Sequence, residues 1–70
     1  MSRQTVKLVR EGAYAAEVDV RLMDDEAGWP PYLSLQDAQK LDAMRRALRS
    51  DDLDSATKLG RVFRLLPVSA

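Results

Sequence analysis

The chain contains no cysteine and no histidine. Without cysteine there is no disulfide and no thiolate metal site to reinforce the fold. Without histidine the usual general base near neutral pH is missing, and with cysteine goes the strongest side-chain nucleophile. Zinc sites draw on Cys, His or carboxylates, and only carboxylates are available. Neither GxGxxG nor GxxxxGK[ST] occurs, so no phosphate cradle is present. Charge of one sign is lacking too: eleven Lys and Arg balance eleven Asp and Glu. No net field therefore draws the molecule towards nucleic acid or anionic lipid. No stretch approaches the ~20 apolar residues of a membrane span. The opening MSRQTVKLVREG lacks the apolar run of a signal peptide. The expected location is the cytoplasm, with no membrane association.

What is present is a 70-residue chain, one domain at the small end of what folds alone. A domain of this size buries only about 60% of its unfolded surface, so its stability rests on packing. Its spaced Leu and Val residues argue against intrinsic disorder.

Residues 5–10, TVKLVR, are rich in β-branched types and read as a strand. Glu11, Gly12 and Ala13 supply a turn. The segment YAAEVDVRLM then alternates, with Tyr14, Ala16, Val18, Val20 and Leu22 on one face and Glu17, Asp19 and Arg21 on the other. A period of two marks a half-buried strand, so residues 5–23 form a hairpin. Residues 24–33 make a loop that begins with Asp24, Asp25 and Glu26. These three lack the alternating ligands of a calcium loop and read as a solvated acidic turn.

Ser34 is a good N-cap, and Asp37 three residues on completes a capping-box pattern for a helix over 34–49. Ala38, Leu41, Met44 and Leu48 share one side of that helix. A second helix spans 51–59, capped by Ser50 or Asp51, with Leu53, Ala56 and Leu59 as anchors and Gly60 at its C′ position. RVFRLL, residues 61–66, reads as a third strand stopped by Pro67. The expected fold is a two-layer α+β domain: a three-stranded, mostly antiparallel sheet with both helices on one face. The expected inner residues are Val6, Leu8, the Tyr14–Leu22 series, Phe63 and Leu65. Lys7, Val9, Glu17, Asp19, Arg21, Val62, Arg64 and Leu66 are expected on the outer face.

The run GWPPYLSL, residues 28–35, has two readings. Consecutive prolines exclude helix and central strand and leave Trp29 extended. Residues 29–32 then form a stiff connector whose Trp29 and Tyr32 lid the core, with Leu33 as a hydrophobic staple. The alternative is an exposed aromatic surface that grips a partner.

Arg45, Arg46 and Arg49 gather near the end of the first helix, and Arg61 and Arg64 follow in the third strand. The segment 34–60 could pass for a helix-turn-helix, whose recognition helix presents its N-terminal residues to the groove. Here that turn holds Asp51, Asp52 and Asp54, which oppose phosphate. A ribbon-helix-helix arrangement fits poorly as well, since the N-terminus is spent on an internal hairpin.

From Gly28 onward, the pattern GW-x-PYLSL-x-DA-x-KLD, then R-x-ALR, DL-x-x-A and RVF-x-L-x-PV resembles a family of short, uncharacterised bacterial proteins. A VREGAYAAEVDV-type hairpin precedes it, so the likeness covers nearly the whole chain. A fainter likeness is to small antitoxins in which an acidic loop, a Gly-aromatic pair and a Ser/Thr-Leu-x-x-Ala helix follow a hairpin. The resemblance implies no catalytic residue, cofactor or metal.

The function expected from these features is non-enzymatic: a protein-binding module, antitoxin-like or an adaptor, acting on a bacterial partner protein. Candidate partner-binding residues are Arg45, Arg46, Arg49, Arg61, Arg64, Trp29 and Tyr32. The alternatives are a DNA-binding regulator using the same arginines, and a homodimer sharing Val9, Val62 and Leu66.

Overall fold

The computed structural model describes residues 2–24, 28 and 30–68. Strand β1 (Ser2–Glu11) and strand β2 (Tyr14–Met23) form a long antiparallel hairpin. A two-residue strand β3 (Tyr32–Leu33) follows, then helix α1 (Leu35–Arg49), helix α2 (Leu53–Leu59) and strand β4 (Arg61–Arg64). The fold is α+β, with an open antiparallel sheet of four strands and two helices. Strand β2 is central. β1 lies on one side of it; on the other side β3 pairs with Leu22 and Met23, and β4 pairs with residues 14–17.

The core is small and built on short side chains. Val9, Ala16, Val18 and Val20 from the sheet meet Leu41, Met44, Ala47 and Leu48 of α1 and Ala56 of α2. Alanine at 16, 47 and 56 lets the helices sit close to the sheet, and Met44, with no exposed surface, fills the centre. Tyr14, Leu33, Leu53, Leu59 and Val62 seal the margin.

The inner and outer assignments of β1 and β4 are the reverse of those expected. Val9 is buried and Val62 packs against the core, whereas Val6, Leu8, Phe63 and Leu65 are exposed. Turn length is the cause in β1. A three-residue turn sets Arg10 opposite Tyr14 and even residues opposite even. The hairpin instead turns on Gly12 and Ala13 alone, with Glu11 opposite Tyr14 and Val9 opposite Ala16. Gly12 has φ +59°, the positive φ that a type II′ hairpin needs at its first turn position. Because side chains alternate with a period of two, one residue of register moves a whole strand's set to the other face. In β4 the pairing of Val62 with Ala16 and Phe63 with Ala15 does the same.

Helix α1 begins where its cap requires. Asp37 N–H donates to Ser34 Oγ at 3.1 Å, but the reciprocal half of the capping box is absent. The Asp37 carboxylate instead accepts from the backbone N–H of Arg21 at 2.7 Å, and one turn later Lys40 Nζ donates to the Asp19 carbonyl at 3.0 Å. These bonds occupy the stretch of β2 edge between β3 and β4. Helix α2 is capped by Asp52, which accepts from Ser55 N–H, and not by Ser50 or Asp51. Asp51 takes the positive φ of 60° that reverses the chain.

Gly60 is present for space. Its backbone is extended (φ 178°) and not left-handed. A Cβ there would collide with the Glu17 carbonyl oxygen and lie 3.2 Å from Met44 Cε. Gly60→Ala is therefore expected to cost about 1–3 kcal/mol, read as a lower urea midpoint. The face assignment has its own check: Val9→Ser should lose about 2 kcal/mol or more, while Leu8→Ser stays within about 0.5 kcal/mol of wild type. Equal losses at the two positions would contradict the observed register.

Candidate functional site

The candidate arginines divide between the two sides of the molecule. Arg45, Arg46 and Arg49 lie on the face of α1 turned away from the sheet, around a shallow depression of about 260 Å³ completed by Gln39 and Asp42. Arg45 pairs with Asp42 at 3.2 Å, one turn earlier on the same helix. Arg49 reaches Glu11 at 3.2 Å and so ties the end of α1 to the hairpin turn. Arg46 makes no ion pair among the described residues. Both Arg46 and Arg49 stand in the last helical turn, where cations complement the helix dipole.

Arg61 and Arg64 belong to the sheet. Arg61 projects from the outer face, opposite Glu17 in the strand register. Its Nε donates to Glu17 Oε1 at 3.1 Å, and its Nη2 donates to Asp19 Oδ1 at 3.0 Å. One guanidinium thus holds two carboxylates of β2 on a solvated surface. The Arg61 bond and charge hold the Asp19 carboxyl below the usual carboxylate range. Asp19 and then Glu17 push the Arg61 guanidinium further up. Arg64 lies on the opposite face of the same strand, 5.9 Å above the centroid of the Tyr14 ring, a cation–π contact.

Of the two aromatic candidates, Trp29 lies outside the described residues, as do Asp25 and Glu26 of the acidic loop. Tyr32 does not lid the core. It pairs with Met23 at the end of β2 and is half exposed, while its neighbour Leu33 is the residue packed against the core. Strand alternation accounts for this, since adjacent side chains take opposite faces. Asp24 is engaged by Arg3 at 3.4 Å. No group of three or more metal-ligating side chains occurs among the described residues.

The homodimer patch read from the sequence does not exist as a surface, because Val9 is buried and Val62 is packed against the core. Of the three, Leu66 alone is open. Another apolar surface takes its place. The helices cover one face of the sheet, and the other carries Leu8, Phe63, Leu65 and Leu66, which are 68%, 49%, 38% and 77% exposed. Leu8, Ala15, Leu65, Leu66 and Pro67, with Arg10 at the rim, line a depression of about 550 Å³ there. The signal for this surface was the Gly12–Ala13 turn: two residues between the strands put even positions of β1 opposite odd positions of β2.

Among the described residues no charged or polar side chain is buried. The shifted carboxyls are held by surface bonds: Asp19 by Arg61, and Asp52 by the bonds from Ser55 at the α2 cap. Both bind protons more weakly in the folded chain than in the unfolded one. Their contribution is present above the ordinary carboxylate pKa and is lost as pH falls through the lowered folded value. Asp19→Asn should therefore flatten the acid side of the melting-temperature profile and leave the neutral side nearly level. An acid limb as steep as wild type would remove Asp19 from that account. No helix among the described residues is long and apolar enough to cross a membrane. Comparison with protein-family models, with curated proteins and with solved structures finds no match.

Proposed function

We propose that the chain is a non-enzymatic protein-binding module, an antitoxin-like or adaptor protein whose bacterial partner docks on the outer face of the sheet. The observation that carries this reading is the one-sided covering of the sheet. Two helices shield the inner face, and the outer face leaves Leu8, Phe63, Leu65 and Leu66 in water. Contiguous apolar surface of this kind is uncommon on a soluble monomer unless something covers it. Arg10, at the rim of the depression, makes no ion pair among the described residues and suits a partner segment that joins apolar side chains to a carboxylate.

The absence of any buried titratable group among the described residues supports a binding role over a catalytic one, since catalytic acids and bases are tuned by burial and close charges. The arginines of α1 lie beyond the helix layer, on the other side of the molecule from Arg61. One flat partner surface does not meet both sets. The main contact is therefore the apolar face and not the arginines of α1, with Arg61 at its border.

The test is capture of partner from lysate of the host by the tagged full chain, with and without nuclease. A single stoichiometric protein that survives nuclease is expected. It should be lost with Leu65→Glu/Leu66→Glu and kept with Arg46→Glu/Arg49→Glu, both variants retaining wild-type circular dichroism. The opposite pattern would place the partner on α1. Recovery of nucleic acid that nuclease abolishes would replace the proposal with DNA binding.

A further inference from the structure

We infer that strand β1 pairs antiparallel with β1 of a second copy, joining two four-stranded sheets into one across a two-fold axis. The proposal concerns the sheet edge and stands apart from the partner surface above.

Strand β1 is ten residues long and, among the described residues, has a strand neighbour on one side only. Which of its backbone groups are free follows from β2. Arg21 N–H and Asp19 C=O point away from β1, towards α1, so the odd residues of β2 face that side and the even ones face β1. The register then gives the odd residues of β1 to β2. The even residues Ser2, Gln4, Val6, Leu8 and Arg10 present their N–H and C=O groups to the open edge. The opposite edge of the sheet is closed by β3, by Asp37 and Lys40 of α1, and by β4. β1 has no such cover among the described residues.

The register centred on Val6 uses the most of the edge. With the two-fold at Val6, Val6 faces Val6, Gln4 faces Leu8 and Ser2 faces Arg10. All five even residues of each strand then fall in hydrogen-bonded pairs. On the helix-facing side Thr5 faces Lys7 and Arg3 faces Val9, so no like charges stand opposite. Moving the axis to Lys7 opposes two ammonium groups, and moving it to Thr5 opposes Arg3 with Lys7. Both arrangements are destabilising. A lysine in an exposed edge strand normally blocks pairing; here it selects among registers. Val6 and Leu8, 47% and 68% exposed, become diagonal neighbours across the seam and form an apolar strip on the outer face.

Formal net charge is zero, so copies do not repel.

The purified full chain settles the matter. Sedimentation equilibrium should give twice 7.9 kDa, and a mass of 7.9 kDa at every concentration would overturn the proposal. Val6→Lys sets two ammonium groups face to face and should return the monomer mass with unchanged circular dichroism; a persistent dimer would place the contact elsewhere. The absence of native cysteine makes single-cysteine variants clean reporters. Facing residues of a hydrogen-bonded pair have Cα atoms about 5.5 Å apart, within the ~4.4–6.8 Å that a disulfide spans. Residues at 4 are offset by four positions, about 13 Å. Mild oxidation should give a covalent dimer from Val6→Cys and none from Gln4→Cys. Cross-linking from Gln4→Cys, or from Leu66→Cys in place of Val6→Cys, would overturn the register.

Discussion

The central strand β2 has to satisfy its backbone on both edges, and the rest of the molecule is arranged around that requirement. A buried peptide group left without a partner costs about as much as a lost hydrogen bond. On one side β1 pairs with all ten residues of β2. On the other side no single strand does so. β4 covers residues 14–17, β3 covers Leu22 and Met23, and the stretch between them is closed by side chains of α1. The Asp37 carboxylate and the Lys40 ammonium stand one helical turn apart and meet the Arg21 N–H and the Asp19 carbonyl. The start of α1 is therefore fixed twice, by the Ser34 cap and by the sheet edge, which is why Asp37 gives up the reciprocal half of its capping box.

Docking α1 in this way sets the depth of the core. With the short Asp37 side chain bonded directly to the β2 backbone, the start of α1 lies close to the sheet, and the buried positions beneath the helix must be small. Ala16, Ala47 and Ala56 meet that condition, with Met44 as the one flexible side chain that fills what remains. Gly60 follows from the same closeness, since α2 returns to the sheet directly over the Glu17 carbonyl. The chain thus folds on few buried atoms, and electrostatic contacts such as Arg61 with Glu17 and Asp19 remain on the surface, where water screens them.

With both helices committed to one face, the other face and the β1 edge are left to solvent. The first offers apolar side chains rimmed by Arg10, and the second offers unpaired backbone. They differ in kind: a face is recognised by shape and apolar area, an edge by main-chain register. Their separation allows one edge to serve a second copy while the faces, brought side by side, remain open to a partner.

The sequence by itself determined five of the six elements; the two-residue strand β3 lies inside the expected loop 24–33 and forms only by pairing with the end of β2. The alternation from Tyr14 to Leu22, the Ser34 cap, the 3.6-residue spacing of Leu41, Met44 and Leu48, and the short segments around Ala56 and Val62 each carry a local signal, and each element appears where that signal lies. The sequence could not assign faces to β1 and β4. Both strands carry apolar residues at even and odd positions, so alternation alone does not say which set is inward. A turn of two residues, and not three, decided that Val9 enters the core and Leu8 leaves it. The pairing of Val62 with Ala16 likewise left Phe63, the largest side chain of its strand, outside. The arginines were legible as residue types, but their division between two sides of the molecule depends on which face the helices cover. The open apolar face was hidden for the same reason. Local periodicity fixes what a segment is, whereas register and layer order arise only when segments meet across long sequence separations.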